Sequence, residues 1–286
     1  MSSILTNNGA MVALQTLKSI NSNMNDTQSA ISTGKDISSA KDNSAVWAIS
    51  KIMESDVAGY GAVEDSLALG ESTVAVASTG AEQIVEKLKQ IKEKVVTATG
   101  ENVENSKLTA DVNELKKQIG SIMNASQFNG ANLLRTTGSE GTDISIVSSL
   151  DRDSTGVTAS NINVASVDFE TSFGTWDGSD VSAILSDIDV SSATAADTSL
   201  AAIETHIQTA TDGAATLGAA SARITDQKEF ISKLSDSVTK GIGSLVDADM
   251  EETSARLQAL QVQQQLGTQA LSIANQAPQQ LLSLFR

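Results

Sequence analysis

Between Ala10 and Ile31 the positions Ala10, Ala13, Leu17, Ile20, Met24, Thr27 and Ile31 fall alternately three and four residues apart, and all but Thr27 are apolar. That spacing is the seam of a coiled-coil helix. The far end keeps the same rhythm through Met250, Thr253, Leu257, Leu260, Gln264, Gly267, Leu271 and Ala274. Beside it runs a second stripe, Val262, Leu266, Ala270, Ile273 and Ala277. A helix apolar over so much of its surface needs neighbours on more than one side. One chain has only two such ends, so further copies of the same chain are the simplest source of the missing neighbours, and the pattern predicts a polymer.

Between the ends the pattern changes twice. Ser32-Thr33-Gly34-Lys35-Asp36 reads as a turn, and Ser39-Ala40-Lys41-Asp42 has the form of a capping box that opens a helix. The apolar face that follows runs Ala45, Ile49, Ile52, Met53, Val57, Val63, Leu67, Val74, Ala77, Ile84, Leu88, Ile91 and Val95 with no proline to stop it. This is one very long helix or two in series. Gly59, Gly61, Gly70 and Gly80 each cost about 1 kcal/mol relative to Ala, so local bends are expected there. After Gly100 a second helix is predicted over Val103–Ile122, and Phe128-Asn129-Gly130 marks a turn. From Thr136 to about Glu204 the alternation in Asp143–Ile146 and Asn161–Val164 has period two, as in half-buried strands. Helical spacing returns near Ala201 and runs through Ile207, Leu217, Ile224, Ile231, Leu234, Val238, Ile242 and Leu245. The expected fold is mainly α, with long antiparallel helices, coiled-coil termini and a small β-containing outer insertion. Its expected parts are a terminal domain of residues 1–32 and 248–286, a helical rod of 33–135 and 205–247, and a surface lobe of 136–204.

Composition narrows the partners. The chain has 286 residues and a net charge of −16, and the 136–204 stretch holds twelve acids against the single base Arg152. Phosphate backbones and anionic membranes, which bind through clustered Lys and Arg, are poor partners. No apolar run approaches the ~20 residues that span a bilayer, and Met1–Ala10 lacks the features of a cleavable secretory signal. Zero cysteines removes disulfides, thiolate metal sites and thiol catalysis together.

Candidate chemistry is thin. His206 is the one histidine and, with no Cys to join it, is expected to be solvated or to cap a helix. Asp247-Ala248-Asp249 with Glu251 and Glu252 suits the first turn of the terminal helix better than a cation site. Lys87-Leu88-Lys89 and Lys116-Lys117 read as solvated faces. The glycines at 59, 61, 70 and 80 do not make a phosphate loop, since no Gly-Lys-Ser/Thr follows a strand. Phe169, Phe173 and Trp176 are expected to form a small core for the lobe. No catalytic, cofactor or metal residue is assigned, and the chain is not expected to be an enzyme.

Particular residues spell a family. Ser3–Asn8, Leu14–Leu17, Ile31–Gly34, Ile37–Asp42, Phe128–Gly130, Ala274–Gln279 and Leu281–Arg286 resemble bacterial flagellin over roughly the first 135 and last 80 residues. The resemblance implies a helical homopolymer, the flagellar filament of swimming bacteria, whose subunits leave the cell unfolded through a type III apparatus with no cleaved signal. It also implies an export chaperone and the hook-junction and cap proteins as partners, and an extracellular location. On this reading about residues 1–30 and 250–286 order only on joining the filament, and a chain lacking 1–30 should not grow. Leu14, Leu17, Ile20, Met24, Ile31, Leu257, Leu260, Leu266, Leu271 and Ile273 are the expected polymerisation residues. Asp42, Ile49, Met53 and Leu115 are expected in lateral rod contacts, within Asp42–Met53 and Val96–Gln118. Deleting much of Ser148–Ser199 is expected to spare assembly. Strongly recognised flagellins carry a strip read by a toll-like immune receptor. Here that strip is Leu88–Lys94, with Gln90 in place of an Arg, Glu93 retained and Lys94 in place of a Leu, so weak or absent recognition is implied. Two alternatives stay open: the hook-filament junction protein and a secreted type III coiled-coil translocator.

Overall fold

The computed structural model describes residues 7–135, 143–152, 156–176, 178 and 181–284. The stretches 3–6 and 285–286, which carry part of the flagellin resemblance, lie outside the described residues. Among the described residues six α-helices, one short 3-10 helix (Val181–Ala183) and two small hairpins are present, in the order α1 (Asn8–Thr33), α2 (Ser44–Ala98), α3 (Asn105–Ala125), β1 (Gln127–Phe128), β2 (Ala131–Asn132), β3 (Ile144–Arg152), β4 (Val157–Val164), α4 (Phe169–Phe173), the 3-10 helix, α5 (Ala193–Val246) and α6 (Met250–Leu284). By packing the chain divides into residues 1–57 with 236–286, and residues 58–235.

In the first unit α1 starts at Asn7, whose side chain accepts the Ala10 N–H, and stops at Gly34, which takes the left-handed conformation at φ 70°. The chain then turns through Lys35–Asn43. Asp42 accepts the amides of Ser38 and Ser39 and both their hydroxyls. Half of the anticipated capping box forms, the Asp42 carboxylate on the Ser39 amide, whereas the Ser39 hydroxyl accepts from the Lys41 amide and the Asp42 amide donates to the Ser39 carbonyl, and the bonds close a turn. The helix starts later, at Ser44, where Asn43 accepts the Val46 N–H. Helix α6 is capped by Asp249, which accepts from the amides of Glu251 and Glu252, as its acidic first turn suggested. The α1–α2 turn is tied to the start of α6 by a backbone bond from Asp36 N–H to Val246 O and another from Ala248 N–H to Gly34 O.

In the second unit a single core joins α2, α3, α5 and the segment between them. From α5 it takes Ile203, Ala210, Leu217, Ile224 and Ile231, a strict seven-residue repeat in which every side chain is fully buried. From α2 it takes Leu67, Val74, Ala81, Leu88 and Val95 at the same interval, with Ala77, Ile84, Ile91 and Ala98 between them. The pairs Glu71–Lys228 and Lys92–Glu204 show that the two helices run antiparallel. The Asn129-Gly130 turn has φ of 50° and 83°, the mirror-image geometry that joins β1 to β2. Strands β3 and β4 pair antiparallel from Ile144↔Val164 to Arg152↔Val157, with an irregularity between Val147 and Ser149.

Helix α2 is one helix of 55 residues that passes all four of its glycines without a break. Three of those glycines are sockets. A Cβ on Gly59 would lie 2.6 Å from Leu150, on Gly70 2.3 Å from Ile146, and on Gly80 2.2 Å from the Ser126 hydroxyl. Phe169, Phe173 and Trp176 are buried as expected, yet not in a core of their own. They join the helical core, Trp176 against Gly120 and Phe169 against Gly213. Ile146, Ile162, Phe169, Phe173, Ile184 and Ile188 from residues 144–190 are thus packed into the core of the second unit, which bears on the expectation that most of 148–199 can be removed without cost to assembly.

Candidate assembly surface

The terminal helices α1 and α6 pair antiparallel along the two stripes that the sequence marks. Leu17 and Ile20 reach over Gly267, at 3.2 and 3.9 Å from where its Cβ would stand, and Gly9 lies against Ala274. Asn7 donates to the Ala274 carbonyl at 2.8 Å, and the Gln264 amide donates to Asn21 Oδ1 at 2.7 Å. Ala10, Ala13, Leu17, Ile20, Met24 and Ile31 on α1, and Leu257, Leu271 and Ala274 on α6, are half-buried in the seam, while Leu260 is buried. The seam is slim. Across the described residues of the first unit only Ala30, Ile242, Val246 and Leu260 are buried apolar side chains, and the main core takes none of them.

Among the described residues the other face of α6 has nothing against it. Val262, Leu266 and Ile273 are 55%, 59% and 69% exposed, and at 100° per residue they sit about half a turn from the seam. Met11, Val12 and Leu14 on α1 are exposed as well, as are Leu245 and Met250 near the start of α6. The ten expected polymerisation residues therefore separate into two sets. Leu17, Ile20, Met24, Ile31, Leu257, Leu260 and Leu271 hold the pair together, whereas Leu14, Leu266 and Ile273 face outward. Met11 and Val12 escaped notice in the sequence because they fall off both stripes.

The family model for the bacterial flagellin N-terminal helical region matches residues 4–139, and that for the C-terminal helical region matches residues 200–285. The flagellin of Brucella melitensis is 43% identical over 287 aligned residues that take in both chains completely. This chain belongs to the bacterial flagellins. Flagellin FljK of Caulobacter vibrioides is 39% identical across all of this chain and 99% of its own. Among solved structures, a putative flagellar hook-associated protein from Vibrio parahaemolyticus shares the fold, with a TM-score of 0.52 at 15% identity over 72% of this chain and all of that one. Flagellins are structural proteins of the flagellar filament, and this flagellin is a filament subunit.

The four residues expected in lateral contacts have different surroundings. Asp42 is exposed, and the Ser39 amide, followed by the hydroxyl of Ser39 and the amide and hydroxyl of Ser38, holds its carboxyl below the usual carboxylate range. A depressed carboxylate stabilises the fold above its unfolded pKa and loses that contribution as pH falls through the lowered value. Ile49 is exposed beside Ile52, and Met53 touches Gly241. Leu115 is half-buried against the core of the second unit. Glu54 ties the first stretch together by accepting from Lys51 and Lys35, and its carboxyl is lowered by Lys51 first.

In the Leu88–Lys94 strip Leu88 and Ile91 face the core and are fully buried. Lys92 pairs with Glu204 and Lys94 with Asp111, the latter at 2.8 Å, while Gln90 is half-buried and Glu93 exposed. Two polar residues are not where the sequence put them. His206 is buried, with Nε2 at 2.8 Å from Asp187 and its ring edge-on to Phe173, in place of the solvated or capping role expected of it. Lys116 is buried too, and donates to the carbonyls of Leu185 and Ile188 at 2.7 and 2.8 Å, whereas its neighbour Lys117 is exposed. Burial pushes the Lys116 ammonium below the usual lysine range, and Asp187 and Asp189 oppose that shift. Neither placement had a local signal, because both partners come from a loop about 20 to 70 residues away in sequence. Among the described residues no cluster of His and acidic side chains could hold a metal ion, and no helix is long and apolar enough to cross a membrane.

Proposed function

We propose that this flagellin polymerises by burying the outward faces of its two terminal helices, Val262, Leu266 and Ile273 on α6 and Met11 and Leu14 on α1, against the terminal pairs of neighbouring copies. The observation that carries the reading is the apolar face of α6 opposite its seam, which has no partner among the described residues of the first unit. Each such side chain contributes roughly 1.5–3 kcal/mol when buried, and joining unlike patches of successive copies yields an open helical polymer. The thin seam supports the view that residues 1–30 and 250–286 order only on addition to the filament. Lateral contact is assigned to Asp42, Ile49 and Met53 in the first unit and to Leu115 in the second. The protein reaches the outside of the cell unfolded through the flagellar type III apparatus, with an export chaperone before that step and the junction and cap proteins after it. Toll-like receptor recognition is weak, a reading supported by a buried Leu88, an ion-paired Lys94 and Gln90 where a guanidinium would stand. Full-length relatives at 37–43% identity favour the filament subunit over the junction protein.

The test is the triple variant Val262→Ser, Leu266→Ser, Ile273→Ser, none of which touches the main core. Helical content of the soluble protein should be close to that of the unaltered chain. Elongation from filament seeds, watched by electron microscopy, should be lost. Filaments of ordinary length would overturn the reading.

A further inference from the structure

With no cysteine in the chain, the thioethers of its six methionines are the only sulfur that an oxidant can attack. Their surroundings rank them. Met123 is fully buried in the core of the second unit. Met24 is half-buried in the α1–α6 seam, and Met53 is half-buried with its terminal methyl against Gly241. Met1 lies outside the described residues. Met11 and Met250 are 64% and 43% exposed, so theirs are the open sulfurs among the described residues. The two settings differ. Met250 opens α6 between Asp247 and Asp249 on one side and Glu251 and Glu252 on the other, where one more polar group changes little. Met11 stands with the exposed Val12 and Leu14 on a stretch of α1, Asn8 to Asn25, whose one charge is Lys18. Oxidation at sulfur turns this flexible apolar side chain into a polar one. A sulfoxide is tolerated while it faces water, but it must give up that water, with no donor to replace it, when an apolar face closes over it.

We propose that Met11 is a redox-sensitive modification site, at which hydrogen peroxide blocks the addition of free subunits to the filament. In the step itself a sulfur lone pair attacks one peroxide oxygen, and the S–O bond forms as the O–O bond breaks. Sulfur is oxidised by two electrons, the peroxide is reduced, and the departing oxygen takes up the remaining proton and leaves as water. The inference rests on the assembly reading above, since a polar group at Met11 matters only if the outward face of α1 is buried against a neighbouring copy. Subunits already in the filament are protected, because the face that would be modified is the face that is covered. Oxidation at Met250, among carboxylates, leaves growth unchanged.

The test treats the full chain in solution with hydrogen peroxide, quenches it, maps sulfoxide at each methionine by mass, and offers the chain to filament seeds. Growth of every chain is compared with its own untreated growth. The unaltered chain should lose elongation in step with sulfoxide at Met11. Methionine sulfoxide reductases should return it, with dithiothreitol as the reductant closing to its disulfide while the oxygen leaves as water. Met250→Leu should lose elongation in the same way, whereas Met11→Leu, which has no sulfur at that position, should elongate after peroxide as it did before. Elongation that survives full conversion of Met11 overturns the proposal, and so does a Met11→Leu chain that peroxide stops as completely as the unaltered one. Untreated Met11→Gln, polar at the same place without an oxidant, tells this failure from that of the assembly reading. If it extends seeds at the ordinary rate, the outward face of α1 is not buried and the assembly reading fails, taking the proposal with it. If it does not extend seeds, while peroxide stops the unaltered chain with Met11 still a thioether, the redox proposal fails alone.

Discussion

Lys116 sits where its charge should be unwelcome, and its ammonium reaches the carbonyls of Leu185 and Ile188 at the end of a buried loop. Leu185 has a left-handed φ of 48°, an uncommon conformation for a leucine, so that loop needs holding. His206 grips the same loop from α5 through Asp187, and Ser199 adds a hydroxyl that accepts from the Asp189 amide and donates to nearby carbonyls. Replacing Lys116 with Met keeps the aliphatic stem and removes the donors, so the Ile188 carbonyl loses its bond to the ammonium while the Leu185 carbonyl keeps only the Ile188 N–H. Lys116→Met should therefore destabilise the protein by about 1–3 kcal/mol, read as a lowered midpoint in urea. A solvated lysine, which the Lys116-Lys117 dipeptide suggested, would give a change within about 0.5 kcal/mol.

At the level of elements, periodicity carried most of the fold. Helices α1, α2, α3, α5 and α6 stand where three-and-four spacing put them, and the hairpins stand at Asn129-Gly130 and in the two alternating runs. Ends were less legible, since Asn43 and not Ser39 caps α2, and α5 begins eight residues before Ala201. What spacing could not show was the use of the α2 glycines, because a socket is defined by a side chain from a distant strand. The two accounts of Gly70 give opposite signs. If Gly70 served only as a flexible point, Gly70→Ala would stabilise the helix by up to about 1 kcal/mol. With Ile146 pressed to 2.3 Å of the added carbon, overpacking should instead destabilise by roughly 1–3 kcal/mol. Gly61 on the same helix has open space around it, so Gly61→Ala should stabilise. Thermal unfolding of the two variants side by side decides the matter. The assembly surface was half legible in the same way: the second stripe on α6 announced an unpartnered face, while the split between seam and outward residues needed the antiparallel pairing of helices more than 200 residues apart.

The whole molecule divides its labour between a second unit with a continuous core and a first unit with hardly any. That contrast bears on which parts can be dispensed with. Residues 140–199 lie outside the two stretches that the flagellin family models match, which suggests a replaceable insert, and acidity and period-two strands support the same view. Packing argues the other way. Phe169, Phe173, Trp176, Ile184, Leu185 and Ile188 from this segment are all buried in the core shared with α2, α3 and α5. At roughly 1.5–3 kcal/mol for each large apolar side chain, their loss is comparable to the 5–15 kcal/mol by which a typical protein is stable at all. Gly120 and Gly213 would be left as open sockets, and Lys116 would lose both carbonyls. Deletion of 148–199 should therefore unfold the second unit, seen as loss of the cooperative helical transition in circular dichroism, and should abolish filament growth as a consequence. Val157→Thr, at a half-exposed strand position outside that core, should alter neither. A deletion variant that still melts cooperatively and still extends seeds would show that α2, α3 and α5 close on one another without this segment.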